Sequence, residues 1–146
     1  MSKTALLVDD SFSIRQMLSF TLKDAGFDVI EGGNGQEGLT KVQQATKLDL
    51  IITDLNMERE DIGLEVARAA MALNPKPVVV ICTGFAGAEN AQAALEMKVD
   101  YLATKPTDLA QLTSTLYALL RRRASSMSRS EVPSSSVTIS TKVVGL

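Results

Sequence analysis

The sequence predicts an α/β fold, a doubly wound parallel sheet of five strands, each followed by a helix. Three observations lead there. Short apolar runs alternate with longer segments of helical period. One run, Val78 to Cys82, is uniformly apolar, as befits a strand covered on both faces. At 146 residues the chain is far below the roughly 250 of a closed eight-stranded barrel, so an open sheet with right-handed crossovers remains.

Thr4 to Val8 reads as the first strand and stops at Asp9-Asp10. Ile14, Leu18, Thr21, Leu22 and Ala25 share one helical face, and Gly26 ends that helix. Phe27 to Ile30 is the second strand; Gly32-Gly33-Asn34-Gly35 is a turn, and a helix carrying Leu39, Val42 and Ala45 follows. Leu48 to Thr53 is the third strand, ending at Asp54. Leu64, Ala67, Ala70 and Met71 form the next helical stripe, closed by Asn74-Pro75. The fourth strand precedes an alanine-rich helix, Ala88 to Met97. Tyr101 to Thr104 is the fifth strand, and Thr107 is placed to cap a last helix with Leu109, Leu112, Leu116 and Leu119 facing inward.

The chain changes character after Arg123. We read residues 1–123 as one domain and 124–146 as a serine- and threonine-rich, mostly disordered tail. Within the tail, Val137, Ile139 and Val143 alternate with polar residues, a pattern that would also suit a short edge strand.

Composition excludes several functions. Lysine plus arginine is 15 against 17 aspartate plus glutamate, so charge favours neither nucleic acid nor an anionic membrane as partner. Arg121-Arg122-Arg123 closes a predicted helix, where cations complement the helix dipole. The absence of histidine removes Ser-His-Asp triads and histidine-ligated metals. The lone cysteine, Cys82, makes neither an intrachain disulfide nor a zinc site and reads as a small buried hydrophobe. No apolar run suits a signal peptide or a bilayer span, so a cytoplasmic location is expected.

In open parallel sheets, ligands bind beyond the carboxyl ends of the strands, where strand order reverses. Asp9 and Asp10 end the first strand, Asp54 the third, Thr83 the fourth and Lys105 the fifth. The strand order 2-1-3-4-5, taken from known doubly wound sheets, makes strands one and three neighbours and gathers three carboxylates. Such a cluster needs a proton or a cation among its members. Mg2+ fits, because it takes few carboxylates and keeps several waters. A lysine and a threonine hydroxyl beside it complete the outline of a phosphoryl-transfer site with a carboxylate nucleophile. Each residue alone has a plain alternative: a turn for Asp9-Asp10, a solvated acid for Asp54, a strand end for Thr83, a surface lysine for Lys105. Their joint placement at strand ends carries the signal.

The stretches VDDS at 8–11, ITDLNM at 52–57, TG at 83–84 and KP at 105–106 resemble the response-regulator receiver domain. Val8 to Gly38, with Arg15-Gln16-Met17-Leu18 and Gly35-Gln36-Glu37-Gly38, is similar to its stand-alone, CheY-like members. The resemblance covers about residues 3–123. It implies a flavodoxin-like fold and a phosphoryl group accepted on Asp54 from a histidine kinase or a histidine phosphotransfer protein. It implies Mg2+ on Asp9, Asp10, Asp54 and the backbone carbonyl of Asn56, with Thr83 and Lys105 contacting the phosphoryl oxygens. It also implies a cis peptide at Lys105-Pro106, and a downstream protein target on the face of helix four, strand five and helix five.

Three departures stand out. Leu102 occupies the usual aromatic switch position, and Tyr101 beside it should point the opposite way. Glu58 replaces a common proline, and Asp61-Ile62-Gly63 lengthens the loop after Asp54 by one residue. Thr107 stands where phenylalanine is common. Gly84 leaves room for a donor imidazole, or is simply a strand-end turn. Phe85 is hypothesised to shield the acyl phosphate from water; wild-type dephosphorylation by Phe85→Ala would exclude that.

The expected function is a response regulator that catalyses its own phosphorylation and dephosphorylation and signals by protein–protein contacts, with chemotaxis or motility as the expected pathway. The alternatives are a phosphorylation-independent adaptor, and a phosphate sink or phosphorelay shuttle. A hydrolase with an aspartyl-phosphate intermediate is opposed by Asn56, since such enzymes usually carry a second aspartate there.

Overall fold

The computed structural model describes residues 3–84, 88–105, 108–128 and 138–139. The chain runs β1 (Lys3–Val8), α1 (Phe12–Asp24), β2 (Phe27–Gly32), α2 (Gly35–Gln44), β3 (Leu50–Asp54), α3 (Ile62–Met71), β4 (Val78–Thr83), α4 (Ala88–Met97), β5 (Tyr101–Thr104), α5 (Leu109–Ser128) and β6 (Thr138–Ile139). All strand pairings are parallel, in the order β2-β1-β3-β4-β5-β6. The predicted five-stranded, flavodoxin-like order is therefore present, with a sixth short strand outside β5.

Apolar residues alternate between the two sheet faces. Leu7, Ile52, Val80 and Ala103 pack with Leu18 and Leu22 of α1 and with Leu112, Leu116 and Leu119 of α5. Leu6, Ile51, Val79 and Ile81 pack with Val42 of α2, Val66 and Ala70 of α3 and Ala94 of α4. β4 is buried along its whole length, as its composition predicted.

Local chemistry sets the element boundaries. The Ser11 hydroxyl accepts the Ile14 N–H at 3.3 Å and starts α1; Gly26, at φ 97°, lets the chain turn out of it. Asn34 Oδ1 accepts the Glu37 N–H at 2.8 Å while Glu37 Oε1 accepts the Gly33 N–H at 2.7 Å, a reciprocal cap that starts α2.

Several sequence-based boundaries move. β3 begins at Leu50, not Leu48, because Asp49 turns its carboxylate onto the Thr4 N–H at 2.8 Å. At the start of α5, Asp108 Oδ1 accepts the Gln111 N–H at 3.0 Å; Thr107, the cap expected from the sequence, lies outside the described residues. α5 also continues through 124–128, which composition had placed in the tail. Serine is only mildly unfavourable in a helix, so a change of composition need not end one. Arg123 pins this end of α5 to the Asp100 carboxylate at 3.2 Å. Thr138 and Ile139 pair with Tyr101 and Leu102. Among the described residues no helix is long and apolar enough to cross a membrane.

Candidate phosphoryl-transfer site

The register places the site. Val8 lies opposite Thr53, so Asp9 and Asp54 emerge side by side where strand order reverses. Asp54 lies opposite Cys82, and Thr83 opposite Thr104, so Thr83 and Lys105 follow at the same end of the sheet. Asp9, Asp10 and Asp54 each present a carboxylate oxygen, and these lie within 4.8 Å of one another.

Asp9 and Asp54 are buried and Asp10 is exposed. Lys105 Nζ donates to Asp9 Oδ2 at 2.8 Å and to Asp54 Oδ2 at 3.2 Å. The remaining oxygens are held by backbone: the Ser11 N–H bonds Asp9 Oδ1 at 2.9 Å and the Leu55 N–H bonds Asp54 Oδ1 at 2.8 Å. Burial raises the Asp54 pKa above the ordinary carboxylate value; Lys105 opposes the shift and Asp9 reinforces it. Burial works against the Lys105 charge, but its hydrogen bond to Asp9 and the Asp54 charge prevail and push its pKa up.

Three carboxylates against one lysine leave two negative charges in a half-enclosed space, which suits a hard divalent cation with oxygen ligands.

The family comparison confirms the resemblance carried by these residues. The family model described as "Response regulator receiver domain" matches residues 5–117. This chain belongs to the response regulator receiver family. The receiver is 25% identical to a CheY-like receiver domain protein from Methanospirillum hungatei JF-1, with a TM-score of 0.79, covering 86% of this chain and 98% of that one. It is 33% identical to chemotaxis protein CheY4 of Vibrio cholerae, with a TM-score of 0.71, covering 81% of this chain and 98% of that one. It is 31% identical over 84% of its length to the alkaline phosphatase synthesis transcriptional regulatory protein PhoP of Bacillus subtilis. It is 34% identical over 70% of its length to the transcriptional regulatory protein GlrR of Escherichia coli. The chain spans 50% of PhoP and 23% of GlrR, so half or less of these curated relatives.

Some of the other residues singled out in the sequence lie near this receiver's strand ends, and others lie in its core or outside the described residues. Thr83 is buried at the end of β4, and its carbonyl accepts the Lys105 N–H at 2.7 Å. Gly84 is exposed, and among the described residues no heavy atom lies within 4 Å of where a Cβ would stand. Asn56 is exposed beside Asp54, and its Oδ1 accepts the Asp61 N–H at 2.8 Å. Tyr101 packs on the α1/α5 side and Leu102 on the α2/α3/α4 side, the opposed orientation expected of strand neighbours. Phe85 and Pro106 lie outside the described residues.

Sequence reasoning missed two supporting side chains. Arg15 Nη1 donates to the Asp9 carbonyl at 2.8 Å, Arg15 Nε pairs with Glu31 at 3.1 Å, and the guanidinium lies 5.5 Å from the Phe12 ring centroid. A cation near a helix N-terminus opposes the dipole, and that was the available signal that Arg15 has another task. Glu58 accepts the N–H groups of Gly35 and Gln36 at 2.7 and 2.8 Å. Slight burial would raise its pKa, but these donors outweigh that and hold the carboxylate below its usual value.

Proposed function

We propose that the receiver accepts a phosphoryl group on Asp54 from the phosphohistidine of a kinase or phosphotransfer protein, in the cytoplasm, and signals through protein contacts. The observation that carries this is the single lysine spanning two buried carboxylates beside a third.

A carboxylate oxygen of Asp54 attacks phosphorus, the P–N bond to the donor imidazole breaks with its electron pair leaving on nitrogen, and an acyl phosphate remains on Asp54. Lys105, released from a carboxylate that has become a mixed anhydride, keeps its bond to Asp9 and turns its other protons to the phosphoryl oxygens. The Thr83 hydroxyl is placed at the same strand end to donate to another. Gly84 puts no side chain in the path of the donor ring. Asp9, Asp10, Asp54 and the Asn56 carbonyl would hold Mg2+, which supplies charge neutralisation at the phosphoryl oxygens. Attack by water on phosphorus returns Asp54 and inorganic phosphate.

The donor docks, on this reading, beside Phe12, Met17 and Phe20 of α1. These are large apolar side chains left 62%, 46% and 74% exposed on the helix that begins next to Asp10. The downstream target uses the face formed by α4, β5 and α5. Chemotaxis or motility is the pathway we favour, since CheY4 is a chemotaxis protein. A second reading, docking that ignores phosphorylation, is favoured by one observation: the switch position carries the buried aliphatic Leu102. Equal partner capture by wild type and Asp54→Asn would support it.

The test is intact-mass spectrometry after incubation with a small phosphodonor, with and without Mg2+. A Mg2+-dependent gain of one phosphoryl group, absent in Asp54→Asn, is expected. No gain with Mg2+ bound would contradict the proposal.

A further inference from the structure

The loop between β3 and α3 carries Asn56 together with Glu58 and Asp61-Ile62-Gly63, two of the departures noted in the sequence. Glu58 reaches across to α2, 23 residues away, and places one oxygen on the Gly35 N–H at 2.7 Å and the other on the Gln36 N–H at 2.8 Å. These are charge-assisted bonds at the positive end of a helix dipole. Both carboxylate oxygens are thereby committed to backbone, so Glu58 is not itself a cation ligand.

Two further contacts close the same joint. A Cβ on Gly35 would stand 2.6 Å from Ile62 Cδ1, so the start of α3 lies directly on the start of α2. The Gly63 N–H bonds the Leu55 carbonyl at 2.8 Å, and a Cβ on Gly63 would stand 1.9 Å from the Asp54 carbonyl oxygen. Between these anchors Asp61 takes φ 63° and donates its N–H to Asn56 Oδ1 at 2.8 Å. The loop is thus tied at its middle by Glu58 and at its end by Asp61, Ile62 and Gly63, with the Asn56 backbone held between the ties and Asp54.

We propose that Glu58 is a positioning residue: by latching the β3–α3 loop to the N-terminus of α2, it fixes the Asn56 carbonyl where it reaches the cation and so sets the affinity for Mg2+. The inference rests on the metal-dependent receiver chemistry proposed above. Arg59 provides a control from the same loop, because it pairs with Glu65 at 2.8 Å, and among the described residues its side chain makes no hydrogen bond or ion pair to α2.

The experiment is calorimetric titration of Mg2+ into wild type, Glu58→Ala, Glu58→Gln and Arg59→Ala, with thermal melts and amide hydrogen exchange of the loop on each. Removing an outer support of a metal ligand weakens metal binding by about tenfold or more, and that loss is expected for Glu58→Ala, with faster exchange in 55–61. Glu58→Gln keeps one acceptor and should fall between. Arg59→Ala should stay within about twofold of wild type, as an exposed ion pair contributes little. Wild-type Mg2+ affinity in Glu58→Ala, with or without a lower melting temperature, would overturn the role of Glu58 alone. So would equal weakening by Glu58→Ala and Arg59→Ala. Failure of the wild type to bind Mg2+ would overturn the receiver chemistry together with it.

Discussion

Asp54 is pulled two ways: Lys105 stabilises its charge, while burial and the neighbouring Asp9 oppose it, and the opposition prevails. Its folded pKa therefore lies above the value of 3.8 it starts from. Between those two values the folded chain binds more protons than the unfolded one, so stability falls as pH rises through that window. Asp54→Asn removes the conflict. It should melt at a higher temperature than wild type at neutral pH without Mg2+, with the advantage shrinking as the pH falls through the folded pKa and gone once it is below 3.8. Equal neutral-pH melting curves would contradict this. Asp61 supplies a second prediction. A left-handed φ of 63° costs a side-chain-bearing residue about 1 kcal/mol, and Asp61 Oδ1 is buried without a partner among the described residues. Asp61→Gly should stabilise the fold by about that amount in urea unfolding, less whatever glycine adds to unfolded-state entropy. At this scale Asp9, Asp54 and Lys105 were legible because strand ends fix their positions. Glu58 and Arg15 were not, because both act on backbone groups of other segments, and sequence periodicity carries no trace of such partners.

The elements meet most tightly where α2 and α3 join, and glycine makes that possible. Gly63→Ala drives a methyl into the Asp54 carbonyl, a backbone atom that cannot yield without moving the phosphoacceptor strand. A loss of about 3 kcal/mol or more is expected in urea unfolding. Gly35→Ala meets the Ile62 side chain first, not backbone, and should cost less, since a rotamer change can relieve it. The reverse order would show that the joint is not packed as described. Strands and helices were legible from apolar runs and helical stripes, which report burial directly. Their ends were less so, because a cap depends on which neighbouring oxygen reaches the free N–H groups. Asp108 supplies such an oxygen to the Gln111 N–H at the start of α5, and Asp49 bonds Thr4 just ahead of β3. The serine-rich composition after Arg123 suggested a tail, yet the helix runs on while Arg123 is held by Asp100.

For the molecule as a whole, parallel order β2-β1-β3 makes one strand end the meeting point of three carboxylates. A cation that binds only this assembled cluster must stabilise the fold by mass action. Mg2+ at a hundred times its dissociation constant should add about 2.7 kcal/mol, seen as a rise in melting temperature. Asp10→Asn should blunt that rise while leaving the metal-free melt nearly unchanged, because Asp10 is exposed. The fold class was legible because β4 is apolar on both faces and every crossover is helical. The added strand at Thr138–Ile139 was only half legible, since two residues give too short a pattern to separate from a polar tail. The central claim is that Asp54 itself carries the phosphoryl group. Its most direct test is borohydride reduction of the protein after phosphodonor and Mg2+ treatment, followed by peptide mass mapping. An acyl phosphate is reduced to an alcohol, so homoserine at position 54, dependent on Mg2+, is the result expected. A phosphoryl group that survives reduction on a serine or threonine, with position 54 unchanged, would contradict it.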